Sequence, residues 1–140
     1  MEYTQNYQLP LWDKEDAVIR TDFNENNQKI DAAIAATPKV TAGTYIGDGA
    51  ETRIIELPFT PRMVYVCDIY GKVFGSYSTT YSYVGGMATA DLPCTYQGVD
   101  YVRIVENGFQ VVCQSMVEGA LTHNFSNNVS KNTYRYVAIG

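Results

Sequence analysis

Two apolar runs, Tyr101-Val102-Arg103-Ile104-Val105 and Phe109-Gln110-Val111-Val112-Cys113, are separated by only Glu106-Asn107-Gly108. Asn-Gly accepts the positive φ angles of a tight two-residue turn, so this stretch reads as a β-hairpin. Its second run alternates, with Phe109, Val111 and Cys113 on one face. The same texture runs from residue 39 onward. Gly43–Ile46 and Thr52–Leu57 flank Gly47-Asp48-Gly49, where Asp-Gly predicts a second hairpin. Met63–Tyr70 is apolar on both faces and reads as a central strand. Thr133–Ile139 reads as a closing strand. Gly75–Gly98 and Gln114–Asn132 are long polar stretches, expected to be surface loops or irregular strands. Many short strands, tight turns and no intervening helix predict a small antiparallel β-sandwich over 39–140.

The first 38 residues differ. Residues 1–12 read as an extended arm, because the residue before Pro10 is pushed away from helix. Ile19, Phe23, Ile30, Ala33 and Ile34 then recur at threes, fours and their sums, which is helical periodicity. The helix start is placed either at Asp13–Asp16, with acids favoured by the helix dipole, or at Thr21-Asp22. Pro38 stops it. Asn26 and Asn27 interrupt the apolar stripe. Two arrangements fit: a helix lying on its own sandwich with the asparagines at the stripe's edge, or a coiled coil in which a buried asparagine sets register.

Ten basic residues against fifteen acidic ones leave a net charge of −5, with no basic cluster. Nucleic acid and anionic membrane are therefore excluded as expected partners. The start, MEYTQNYQLPLWDKED, lacks the basic and apolar regions of a signal peptide, and no window is apolar enough to span a membrane. Synthesis in a cytoplasm is the expectation, consistent with three widely spaced cysteines, Cys67, Cys94 and Cys113, read as small core thiols.

Catalytic chemistry finds little footing. Gly47-Asp48-Gly49 has two glycines but no following GK[ST] and no helix, so turn chemistry accounts for it. His123 is the sole histidine, there is no nucleophile elbow, and no closely spaced cysteine pair suggests zinc. Acids such as Asp68, Asp91, Asp100, Glu106 and Glu118 are scattered rather than paired as a glycosidase requires. No catalytic residue, metal or cofactor is expected. The richer feature is tyrosine, twelve in all, concentrated at Tyr77, Tyr81 and Tyr83 with Tyr96 beyond. Flat rings stack on sugar faces while serine, threonine and amide groups orient hydroxyls. Tyr77, Tyr81, Tyr83 and Tyr96, with polar contacts from His123, Asn124 and the loop Asn127–Asn132, are thus the candidate ligand site. The competing reading is that these tyrosines alternate along a strand and pack on their neighbours.

The stretch NYQLPLWDKEDAVIRTDFNENNQKIDAAI resembles a segment of bacteriophage tail and tail-fibre proteins, through Asn6, Tyr7, Leu9, Pro10, Trp12, Asp22, Phe23, Asn24, Lys29, Ile30, Asp31, Ala32, Ala33 and Ile34. GTYIGDGAETRIIELPFTPRMVYV is similar to C-terminal domains of such fibres, and its Phe59, Pro61, Val64 and Val66 resemble an element of the H-type lectin fold. The ending NTYRYVAIG fits a terminal strand of those domains. These resemblances imply a virion tail protein, not an enzyme, that forms a homotrimer. They imply that residues 1–36 meet other phage tail proteins, with Phe23, Asn26, Asn27, Ile30, Ala33 and Ile34 at the subunit interface. They also imply that the head recognises host surface polysaccharide or serves as a spacer.

Overall fold

A computed structural model describes all 140 residues. The chain divides into two compact units, Met1–Pro38 and Lys39–Gly140.

In the first unit the arm turns back on itself. Strand β1 (Glu2–Tyr3) pairs with β2 (Pro10–Leu11), and Gln8 takes a positive φ of 53° between them. The stretch is therefore a small hairpin rather than a plain extended arm. Asp13 does not start the helix. Asp16 closes a local turn by accepting from the Asp13 N–H at 3.0 Å. Helix α1 spans Arg20–Ala35, flanked by Ile19 with no side-chain cap, one residue before the later of the two expected starts. At its far end the Thr37 hydroxyl donates to the Ala33 carbonyl at 3.1 Å, and Pro38 follows. No helix is long and apolar enough to cross a membrane.

The second unit is a β-sandwich, as its texture predicts. Its strands are β3 (Val40–Ile46), β4 (Thr52–Glu56), β5 (Met63–Asp68), β6 (Phe74–Tyr77), β7 (Thr80–Tyr83), β8 (Gly86–Thr89), β9 (Cys94–Tyr96), β10 (Val99–Val105), β11 (Gly108–Glu118), β12 (Leu121–Ser126) and β13 (Thr133–Ile139). One sheet has the order β3-β13-β5-β8. The larger runs β6-β7-β12-β11-β10-β9, with β4 also paired to β11. All pairings are antiparallel except β7–β12. Tyr45, Val64, Val66, Ala88, Tyr134 and Ala138 from the first sheet meet Ile55, Val102, Phe109 and Val111 from the second. Tyr45 stacks on Tyr134 with ring centroids 5.2 Å apart. Fully buried side chains such as Phe109 each contribute about 1.5–3 kcal/mol, and Phe109→Ala would cost about 3–5 kcal/mol. Cys67 is buried here, while Cys94 and Cys113 are only partly covered.

Several expectations are corrected. Asp48-Gly49 does not join a hairpin, because β3 pairs with β13 and β4 with β11, so the turn carries the chain from one sheet to the other. The hairpin at Asn107-Gly108 exists, but its turn is Glu106-Asn107, with Asn107 at φ 52°. Gly108 already lies in β11, where a Cβ would fall 2.3 Å from the Ile55 carbonyl oxygen, so close approach of β4 is what demands glycine. Of the two readings of the polar stretches, strands hold for most of their length, and 127–132 is a loop. The strands are β6 to β9, the distal half of β11, and β12.

Nor is the loop Asn127–Asn132 free to meet a ligand at its start, since Asn127 and Asn128 are fully buried. Strand β10 pairs with the first half of β11 and β12 with the second, and Asn127 fills the junction. Its Oδ1 accepts from the Val112 N–H at 2.7 Å and its Nδ2 donates to the Tyr101 carbonyl at 2.5 Å. The side-chain amide stands in for a peptide group in the ladder. Asn128 grips the Asp48 turn, donating to Asp48 Oδ1 at 2.7 Å and to the Ala50 carbonyl at 3.0 Å.

Candidate functional site

Alternation on β7 and β12 gives the larger sheet two unlike faces at its β6–β12 end. Tyr81, Tyr83, His123 and Phe125 share one face; Thr80, Ser82, Asn124 and Ser126 share the other.

On the first face the tyrosines pack on one another. His123 is 2 % exposed and lies near-parallel to both Tyr81 and Tyr96, with centroids at 5.2 and 4.8 Å. Tyr83 stacks on Tyr96 at 5.0 Å and on Phe125 at 5.1 Å, and Tyr101 tilts against both Tyr83 and Phe125. Before Val102, at Val99–Tyr101, β10 is not paired with β11, and with β9 it brings Tyr101 and Tyr96 against Tyr83, His123 and Phe125 of β7 and β12. Tyr81, Tyr83, Tyr96 and His123 thus come together as a mini-core. Their ring faces are turned to each other, and burial raises the Tyr83 hydroxyl above its usual pKa. His123 Nδ1 is 3.3 Å from the Tyr83 hydroxyl. Nε2 lies 3.5 Å from a Glu118 carboxylate oxygen, within ion-pair distance, yet it has no hydrogen-bond partner.

Tyr77 and Asn124 belong to the other face. The structure separates them from the stacked rings, which residue order alone could not do. Three depressions of about 450, 340 and 270 Å³ all include Ser82 in their walls. Asp68, Tyr70, Lys131 and Asn132 line the first, Asn124 and Ser115 the second, and Lys72, Tyr77 and Thr80 the third. Together they make a trough across β7 and β12. Tyr70, which no sequence pattern singled out, is 90 % exposed, and Tyr77 is 86 % exposed. Tyr70 rides on a fixed turn in which Asp68 Oδ1 accepts from the Tyr70 and Lys72 N–H groups, both at 2.8 Å. Gly71 there has a φ of 85°. No group of three or more histidine, cysteine or acidic side chains converges as a metal site.

In the first unit, Asp22, Asn26 and Lys29 line a small depression with Met1, Tyr3 and Pro10 of the arm. Lys29 Nζ donates to the Gln8 carbonyl at 3.4 Å. The arm therefore covers a polar stripe of α1. Phe23, Ile30 and Ile34 lie on another side of the helix, 53, 37 and 69 % exposed, and no residue of α1 is buried. Ala33 is half-buried. Helical spacing puts Asn27 beside Phe23 and Ile34, and Asn26 toward the arm.

Comparison with protein-family models, with curated proteins and with solved structures gave no match in any of the three.

Proposed function

We propose that the chain is a non-enzymatic component of a bacteriophage tail or tail fibre, in which residues 1–36 attach and trimerise and the sandwich contacts host surface glycan. The attachment role is supported first by the tail-fibre-like sequence of the arm and helix. The observation that carries it further is the exposed stripe Phe23, Ile30 and Ile34 on a helix whose polar side the arm already occupies. An amphipathic helix in water gains its stability from burying that stripe. Three copies packed on a common axis would bury it, with Asn27 at the seam fixing register. Asn26, facing the arm, is the weaker candidate of the two asparagines for that role.

The test is light scattering of the purified protein at micromolar concentration. A trimeric mass that falls to monomer in Phe23→Asp and Ile30→Asp supports the reading; a monomeric wild type refutes trimerisation. A second reading, a connector with no ligand, is favoured by the stacking of Tyr81 and Tyr96 on His123 and of Tyr83 on Tyr96, which occupies their ring faces. Failure of the intact protein to bind host cell walls would select it.

A further inference from the structure

We propose that the ligand site of the sandwich is the trough centred on Ser82, and that it takes a stretch of neutral polysaccharide chain several sugars long. The proposal rests on the glycan-contact reading above and moves the site from the tyrosine cluster to the opposite face of the same strands.

The trough's polar side chains are uncommitted. Ser82, Asn124 and Ser126 are half-buried, yet none of their side-chain groups hydrogen-bonds within the chain, whereas neighbouring Asn127 and Asn128 are fully engaged. Hydroxyls and carboxamides both donate and accept, which matches sugar hydroxyls that do the same. An apolar peptide segment would bury these groups without partners, at a cost for each. The largest depression alone, about 450 Å³, falls in the range of small-ligand sites, and the other two extend it in opposite directions from Ser82. An elongated, shallow shape suits a chain better than a single sugar. At its flanks stand two rings that do no packing work. Tyr70 is held by the Asp68 turn and Tyr77 sits at the end of β6, so both can offer a face with little ordering cost. One carboxylate, Asp68, and two ammonium groups, Lys72 and Lys131, line the trough, on a chain of net charge −5. That balance holds no concentrated positive charge for a polyanion.

The test is retention of the full-length protein on beads carrying purified bacterial surface polysaccharides, neutral and anionic in separate sets, alongside beads carrying a random peptide library. The expected result is retention by a neutral polysaccharide with little dependence on salt. Tyr70→Ala and Tyr77→Ala should each weaken it about tenfold, and Ser82→Val should weaken it comparably. The exposed tyrosines leave the fold untouched, which an unchanged denaturation midpoint verifies. Wild-type retention in the Tyr70→Ala/Tyr77→Ala double variant and in Ser82→Val would overturn the trough while leaving the glycan reading intact. No retention by any polysaccharide would overturn both. Retention only on anionic beads, lost in salt, overturns the neutral chain, and retention only on peptides overturns the ligand class.

Discussion

Replacing Asn127 with alanine tests whether one side chain holds the split sheet together. The substitution strips the Val112 N–H and the Tyr101 carbonyl of their partners at the point where β10 gives way to β12. Val112 is 1 % exposed, so its amide has no route to water. A buried group left unpaired costs about 1–3 kcal/mol, and the part-buried Tyr101 carbonyl adds less. The expected loss is about 2–4 kcal/mol, a large share of the roughly 5–15 kcal/mol that holds a domain folded. Asn127→Asp keeps an acceptor for Val112 but faces an oxygen toward the Tyr101 carbonyl, so it should be destabilised as well. Asn124→Ala, only three residues away with no internal hydrogen bond to lose, should change stability by less than about 0.5 kcal/mol. Urea denaturation followed by tyrosine fluorescence gives all three values. A loss below about 1 kcal/mol in Asn127→Ala, or one equal to that of Asn124→Ala, would refute the ladder role.

Three further outcomes follow from local geometry. Hydrogen bonds from the Ala50 N–H and then the Asn128 amide hold the Asp48 carboxyl below its usual pKa. A depressed folded pKa means stability present above the unfolded value of about 3.9 and lost as pH falls through the folded one. Denaturation midpoints should therefore drop on acidification below about pH 4, and Asp48→Asn should flatten that limb; an unchanged slope would disprove the linkage. Gln97 and Gly98 form a two-residue turn with φ of 48° and 80°, so Gln97→Asn, which tolerates the left-handed region, should add about 0.5 kcal/mol. A lower melting temperature would contradict it. Burial pushes the Cys94 thiol up to about 11, leaving roughly one part in a thousand as thiolate at pH 8. Native protein should therefore show fewer than three fast-reacting thiols in a chromogenic thiol assay, and three equal fast rates would exclude this.

The elements legible in the sequence were those with one strong period. Ile19, Phe23, Ile30 and Ile34 announced α1, and the apolar runs around Met63, Tyr101, Phe109 and Tyr134 announced the strands of the main core. Strands β6 to β9 and β12 are legible only as one of two alternatives, because their outer face is serine, threonine, asparagine and glycine, which lowers the apolar content of every short window. Tyr81 and Tyr83, like His123 and Phe125, do alternate, but over a single repeat. The Asp48-Gly49 turn is legible but its role is not, and the Asn107-Gly108 hairpin is legible but its turn lies one residue earlier, at Glu106-Asn107. Turn residues report local backbone needs, and neither the partner strand of β4 nor its approach to Gly108 is local information. The candidate site suffered from the same limit. Proximity in sequence grouped Tyr77 with Tyr81 and Tyr83, although pleating sends them to opposite faces, and Tyr70 lies in a turn whose rigidity depends on one aspartate.

The pairing of β3 with β13 has a mechanical consequence. Lys39 and Gly140 exchange backbone hydrogen bonds of 3.0 and 2.7 Å at one end of that ladder. The trough residues Asp68 and Asn132–Tyr134 cluster at the other end, beside Ile46. Tension applied between residue 39 and a chain held in the trough would run parallel to the strands. All seven register pairs from Val40–Ile139 to Ile46–Thr133 would then share the load in shear. Pulled apart instead at Lys39 and Gly140, the same ladder would open like a zipper, one pair at a time. The β3–β13 ladder is therefore stronger against a load along its strands than against one that opens it from the Lys39–Gly140 end.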